Sequence, residues 1–595
     1  MSFINKYLKN NYILLFIVGI SCAISAFFRL LSGVIVSFIL DNVLNDLPIT
    51  NPLTNFINSF ISVEIIKEDY LYIIYLVIII FAVYCLSLFI RYFLQAIISE
   101  NMTKKIRDDL FSHIQKLNYR YHVQCKTGEL IQKCTTDVDI IRRFFAGQLS
   151  ELIQSLFLII IAIFVLMQIN VSLTYISIIL LPLLSVYALF FFNKISKVFT
   201  KLDNSEGNLT AYIQEALSGI RVIKAFNTEK YELNKFIQLN NDFKEKNYAL
   251  ICTLGKYWSS SDFLCLLQIG IVLAAGVLYA NNNYITLGDF YIFLIYISMI
   301  VWPVRNIGRL LADAGKMKVS INRLEGILNE VPEDYTSGSI IDLNGDIVFN
   351  NVSFSYDDKK YVLNDLNFTI KQGETIALVG PTASGKSTLI SLLNRMYQPT
   401  KGNITINNVD INDINIVCLR RNINVVLQEP FLFSKSIYEN IKLTDASLNE
   451  DSIKQASINA HIYKDIMEFK EGYNTIVGEK GVTLSGGQRQ RLAIARTIIN
   501  ESPIIIFDDS LSAVDSHTDS NIRQSLKKYN SDKTIIIITQ RINSAMDADK
   551  IIVLENGSIT DIDTHNNLIN KDGLYKRIYD IQSKMIDEDS NEKFI

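Results

Sequence analysis

The residues of this chain best suited to chemistry lie in one short run, Gly380-Pro381-Thr382-Ala383-Ser384-Gly385-Lys386-Ser387-Thr388. The run satisfies G-x-x-x-x-G-K-[ST], follows the apolar stretch TIALV and opens a helical pattern, STLISLLNRM. In that setting the N–H groups of the loop point inward as a cradle for phosphate oxygens, assisted by the helix N-terminus. Lys386 would reach the β- and γ-phosphates of a nucleotide, and Ser387 would ligate Mg²⁺. Downstream, Pro503-Ile504-Ile505-Ile506-Phe507-Asp508-Asp509 reads as an apolar strand that ends in carboxylates. Asp508 is placed to hold Mg²⁺, directly or through water.

Such groups must be positioned by a sheet. Beyond a change of composition at 329–344, which reads as a linker, short β-branched runs alternate with helical patterns. The runs are IVFNNVSFSY, TIALVG, NINVVLQ, PIIIFDD, KTIIIIT and KIIVLENGSI. Strands alternating with helices predict an α/β domain with a largely parallel sheet over 345–580, long enough to bury a substantial core. The acidic end, 581–595, is expected to be solvated.

Residues 1–328 have a different solvent. Only 20 % of the 595 residues are charged and 49 % are hydrophobic, and the mean hydropathy is +0.23. A soluble protein carries about 25 % charged residues, so part of the chain belongs in lipid. Six stretches are long enough to cross a bilayer, at about 12–40, 70–98, 151–170, 171–192, 258–280 and 285–305. Nine Lys and Arg fall in 99–150 and ten between Lys194 and Lys256, against Lys67 alone in 41–69. Positive charge marks the cytoplasmic side, which puts both termini and both long loops in the cytoplasm. Those loops keep a helical period, so the spans should continue as helices beyond the membrane, with turning points near Tyr119–Cys125 and Ala211–Gly219. The net charge of −3 argues against a general nucleic-acid binder. The seven cysteines include no CxxC pair, which supports neither a disulfide framework nor a zinc site. The apolar run after Lys6 and Lys9 is too long for a secretory signal.

Leu484-Ser485-Gly486-Gly487-Gln488, followed by RQRLAIARTII, resembles the signature motif of ABC-transporter ATPases, and it stands between the phosphate loop and the Asp508 strand. With six N-terminal spans, GIRVIKAF and TLGDF, the chain from about 10 to 580 resembles a bacterial ABC half-transporter of the exporter type. The resemblance implies an all-α six-helix transmembrane domain fused to an α/β P-loop nucleotide-binding domain, with ATP and Mg²⁺ as ligands. It places Tyr356 against adenine and Gln428 at the Mg²⁺ beside Ser387 and Asp508. It assigns Ser512 and Asp515 to the D-loop and 475–481 to the segment that touches the intracellular loops. It implies a second half-transporter as partner, with Leu484–Gln488 acting on the partner's nucleotide. It also implies a multi-pass cell-membrane location and export of an amphipathic, drug-like, lipid or peptide substrate by alternating access. An importer normally keeps its membrane and ATPase parts on separate chains, so the fusion counts against that class.

Two positions depart from the family pattern. Asp509 stands where active relatives carry the Glu that orients or deprotonates water; a carboxylate misplaced by 1 Å costs about 10²-fold. Gln540 replaces the switch histidine and lacks the charge and proton chemistry of an imidazole. The five histidines are His113, His122, His461, His517 and His565; His517 reads as a surface residue and the others match no catalytic position. Loss of both groups would slow hydrolysis by about 10³-fold or more while sparing ATP binding. This is the pattern of the degenerate-site subunit of a heterodimeric exporter; a slow homodimer and a non-transporting ATP-binding regulator stay open. Ala383, where relatives have Gly, is compatible with binding if its φ is negative. Within the spans, Arg91 is expected to snorkel to the cytoplasmic edge, and Arg29, deeper, to face a cavity or a partner carboxylate.

Overall fold

The computed structural model describes residues 2–49, 52–357, 359–445, 447–510, 516–529 and 532–592. The chain divides into two compact units, Met1–Lys116 with Cys125–Glu330, and Leu117–Gln124 with Val331–Ile595.

The first unit is built on six long helices: α1 (Phe3–Leu44), α2 (Leu71–Lys116), α3 (Thr127–Ile169), α4 (Val171–Ser218), α5 (Glu229–Asn281) and α6 (Leu287–Leu328). Each holds an apolar window fit to cross a membrane. A bilayer core of about 30 Å needs about 20 residues of helix; these have 42 to 53 and run on well past it. The helical form follows from the solvent, because lipid offers the backbone no hydrogen bonds. Where α4 breaks before Pro182, which has no N–H to donate, Gln268 of α5 fills the gap. Its amide donates to Ser177 O at 2.7 Å and accepts from Leu180 N at 3.1 Å.

The apolar windows of the helices carry exposed aliphatic and aromatic side chains, while Ser25, Ser87, Arg91 and Gln95 are buried between helices. Arg91 shows this against expectation: it is only 5 % exposed and donates to Gln154 of α3 instead of snorkelling. Neighbouring Gln95 donates to Ser150, so a polar seam joins α2 to α3. The turning points differ in part. Tyr119–Gln124 is a short helix between α2 and α3, as expected. Helix α4, however, runs through Ala211 to Ser218, and the reversal falls at Gly219–Thr228, closed by Asn227 at φ +52°. No Gly or Pro interrupts 211–218, so nothing stops the helix earlier.

The second unit has two sheets. One is antiparallel, in the order β2-β1-β4-β5, from β1 (Ile347–Phe354), β2 (Leu363–Ile370), β4 (Lys401–Ile406) and β5 (Val409–Asp410). The other has the order β10-β9-β3-β8-β7-β6, from β3 (Thr375–Val379), β6 (Ile423–Val426), β7 (Ile504–Asp508), β8 (Thr534–Thr539), β9 (Lys550–Glu555) and β10 (Ser558–Asp563). Its strands pair in parallel except β9 with β10. The expected parallel sheet is therefore present, and the antiparallel sheet beside it comes largely from LNDLNFTI and KGNITI. Their half-buried alternation gives a weaker signal than the Ile-rich core strands.

One carboxylate ties the end of α1 to the start of α6. Asp41, buried, accepts from Gly288 N at 2.9 Å and from Thr286 Oγ1 at 2.5 Å. Gly288 permits the approach, since a Cβ there would stand 2.3 Å from Asp41 Oδ2. Asp41→Ala should cost the membrane unit about 1–3 kcal/mol by stranding those donors, and Gly288→Ala should destabilise it in the same direction. Unfolding in detergent, followed by chemical denaturation, checks both.

Candidate functional site

The strand order creates the site. Strand β8 lies between β3 and β7, with Val379 opposite Thr539 and Asp508 opposite Ile538. Three segments thus leave the carboxyl edge of the sheet side by side: the loop after Val379, the Asp508–Asp509 pair and Gln540. The crevice outside that edge is where open α/β sheets bind ligands. Here it is a cleft of about 400 Å³ lined by Thr382, Ala383, Gly385, Lys386, Ser387 and Thr388 together with Gln428, Asp508, Asp509 and Gln540.

The loop leads into helix α7 (Lys386–Leu393), with Gly385 as its N-cap at φ +103°, a conformation open to glycine and costly for other residues. Lys386 Nζ donates to Gly380 O at 2.8 Å and Pro381 O at 2.7 Å. Burial pushes its pKa down, against the pull of Asp508 and Asp509. Ser387 Oγ donates to Asp508 Oδ1 at 3.4 Å. Gln428 Nε2 donates to Asp509 Oδ2 at 3.4 Å, and Gln540 Nε2 to Thr382 Oγ1 at 3.3 Å. Burial raises the pKa of both carboxyls. Asp509 adds to the rise at Asp508, while Ser387 and Lys386 oppose it; at Asp509 the opposition comes from Arg541 and Lys386. Carboxylates held this way favour a nearby cation.

A hydroxyl, an amide and two carboxylates converge on one cleft, an oxygen-donor set that fits Mg²⁺. Among the described residues no cluster of three or more His, Cys, Asp or Glu forms a self-sufficient metal cage.

Two backbone angles are unusual. Ala383 sits at φ +65° and Asp509 at φ +44°. The condition stated for Ala383, a negative φ, is not met: the loop holds alanine in the left-handed region, where Cβ crowds the following carbonyl. Asp tolerates that region better than most residues.

Tyr356 is 43 % exposed and tied to α7 through its hydroxyl, 3.0 Å from Thr388 Oγ1. It borders a separate cleft of about 610 Å³ that includes Arg120 and Tyr397. Tyr397 meets its ring edge-on at 5.1 Å, and Arg120 Nη2 donates to Tyr356 O at 3.4 Å. Arg120 counts among the basic residues of 99–150 but was not expected at this cleft, and Tyr397 was not expected there either. The aromatic and basic pattern YRY at 119–121 was the available signal. Leu484–Gln488 is not part of either cleft. Ser485 caps helix α8 (Gly486–Ile498): its Oγ accepts from Gln488 N at 3.2 Å while Gln488 Oε1 accepts from Ser485 N at 3.0 Å. Gly486 faces open space. Ser512 and Asp515 lie outside the described residues, as does the His517 side chain.

A membrane unit of six helices joined to a P-loop unit with a capped signature turn defines an ATP-binding membrane transporter. The comparisons agree. Residues 12–304 match the ABC transporter transmembrane region, and residues 363–512 match the ABC transporter family. The uncharacterized ABC transporter ATP-binding protein YknU of Bacillus subtilis is 35 % identical over 81 % of this chain and 84 % of its own length. The putative multidrug export ATP-binding/permease protein YgaD of the same organism is 33 % identical over 80 % of this chain and 83 % of its own. The structure of a bacterial Atm1-family ABC exporter with ATP bound has the same fold, with a TM-score of 0.79 at 22 % identity over 97 % of this chain and 99 % of that one. The chain belongs to the ABC transporter family, as a multi-pass membrane half-transporter of the exporter type with its own ATPase unit.

Ala383→Gly should relieve the left-handed strain. After allowance for the freer unfolded chain, the ATPase unit should gain about 0.5–1 kcal/mol, read as a higher unfolding midpoint of the full-length protein without nucleotide.

Proposed function

We propose that this chain exports an amphipathic substrate, drug-like, lipid or peptide, by alternating access, as the degenerate-site subunit of a heterodimer. Relatives named for multidrug export and for multidrug resistance support a drug-like cargo. The observation that carries the heterodimer reading is the pair of groups at the mouth of the phosphate cleft, Asp509 and Gln540, in place of glutamate and histidine. The charge pattern of the loops supports cytoplasmic termini.

On this reading Gly380–Thr388 holds the phosphates of ATP, Lys386 neutralises them and Tyr356 stacks on the base. Ser387, Gln428 and Asp508 would hold Mg²⁺, which supplies positive charge to the phosphates. Asp509 reaches less far than glutamate, and Gln540 offers an amide donor with no ionisable proton. Ser485 and Gly487 direct donors and a helix N-terminus at the nucleotide of the partner subunit. ATP closes the two nucleotide domains and the long helices carry the motion to the membrane. Closure must shift the balance of states by a few kcal/mol.

Purified alone, the chain should bind ATP and hydrolyse it slowly; purified with a half-transporter that carries a complete site, the pair should be active. Removal of the partner's glutamate should then abolish most turnover. Brisk hydrolysis by the isolated chain would overturn the reading in favour of a homodimer.

Asp509→Glu combined with Gln540→His should raise hydrolysis at this chain's own site by about 10²-fold or more, measured with the partner's site disabled. Ser485→Ala should instead lower turnover at the partner's site by about 10²-fold, with ATP binding by this chain unchanged.

A further inference from the structure

The membrane unit contains a cavity of about 350 Å³ between α1, α3 and α6, within the size range of small-molecule sites. Its chemistry is lopsided. Arg29 of α1 lines it, exposed, and among the described residues its guanidinium has no ion-pair partner. The carboxylate on the wall, Glu151, is already engaged: Arg309 Nη2 donates to its two oxygens at 2.8 and 3.1 Å. Gln154, also on the wall, has its acceptor oxygen taken by buried Arg91, and its amide donates to Ser25 Oγ at 3.3 Å. The one carboxylate on the wall is therefore already paired, and the acceptor oxygen of Gln154 is taken. The rest of the lining is two hydroxyls, Ser155 and Ser298, with apolar and aromatic side chains that include Leu158, Ile295, Met299 and Trp302.

An arginine at this position on a membrane helix is costly unless something answers its charge. A cation would meet like charge here and find no free carboxylate. A molecule with an anionic head and an apolar body would satisfy both halves of the cavity. We infer that this cavity binds an amphipathic anion, its carboxylate or phosphate head on Arg29 and its apolar body against Leu158, Ile295, Met299 and Trp302. The inference rests on the export reading and narrows its substrate class.

The chain has two tryptophans, Trp258 and Trp302, so Trp258→Phe leaves the one that lines the cavity as a reporter. In nucleotide-free full-length protein in phosphatidylcholine nanodiscs, Trp302 should be quenched saturably by spin-labelled stearate. Binding should be about tenfold or more tighter than for the methyl ester or a quaternary-ammonium analogue of equal chain length. Arg29→Gln should reduce the stearate affinity to that of the ester, and Arg29→Lys should restore most of it. Displacement by phosphatidylglycerol added to the disc would assign the anion to the bilayer; retention would assign it to a soluble amphiphile. Equal affinity for the three heads in the unmutated protein would overturn the inference without any need for a variant. So would an Arg29→Gln protein that binds stearate unchanged, the result expected if a partner carboxylate occupies Arg29. Binding is read without nucleotide, so the two readings fail separately. A bound anion that ATP does not move across vesicles would count against export, and an absent head-group preference would count against the anion site alone.

Discussion

The parallel ladder in which β8 lies between β3 and β7 is the constraint on which the ATPase unit depends. Its register sets Val379 beside Thr539 and Ile538 beside Asp508. Side chains alternate faces along a strand, so a slip of one residue would exchange every buried position for the opposite face. Ile504, Ile506, Ile536 and Ile538 pack into one core and Ile505, Phe507, Ile535 and Ile537 into another, so a slip would have to repack both. Lys386, the two aspartates and Gln540 then meet at one edge although more than 150 residues separate the first from the last. The same burial that fixes the ladder desolvates the groups at its end. Lys386 is drawn toward its neutral form and Asp508 and Asp509 toward theirs, so a highly charged ligand and its cation have most to gain there.

The membrane unit answers to a different solvent. Lipid rewards neither water-exposed backbone nor unpaired charge, and both rules are visible. The break before Pro182 is mended by Gln268, the start of α6 is capped by Asp41, and Arg91 is drawn inside to Gln154. Polar groups are thus concentrated between helices, and Asp41, Gln95, Gln154 and Gln268 each bond to a neighbouring helix. Arg29 stands out against that pattern, and its isolation turns an ordinary gap between helices into a chemically selective one.

Two features of the nucleotide cleft belong together. Ala383 and Asp509 both occupy left-handed backbone, one a residue that prefers to avoid it and one that accepts it. The loop keeps its shape around alanine because Gly385, Lys386 and the strand edge over-determine it. Asp509 keeps its carboxylate near Gln428, and Gln540 reaches back to Thr382. On the proposed reading this is a site that grips phosphates and leaves water unactivated, while Ser485 presents a fully capped turn on another surface of the unit.

The local rules were legible in the sequence. Runs of about 20 apolar residues become membrane helices in any arrangement, and a glycine-rich loop between a strand and a helix makes a phosphate cradle by backbone geometry alone. The motifs around Lys386, Asp508 and Leu484–Gln488 were legible for that reason. What depended on distant partners was not. Arg91 turned inward because Gln154 lies across from it. Around β1, which the sequence did announce, the antiparallel sheet formed from β2 and β4, strands too polar to stand out. Tyr397 and Arg120 joined Tyr356 only through folding, and the sign of φ at Ala383 was fixed by the loop around it. Sequence determines which solvent each segment seeks and which chemistry each motif carries. The tertiary structure alone decided which charges found partners, because pairing is set by distance across the fold and not by spacing along the chain.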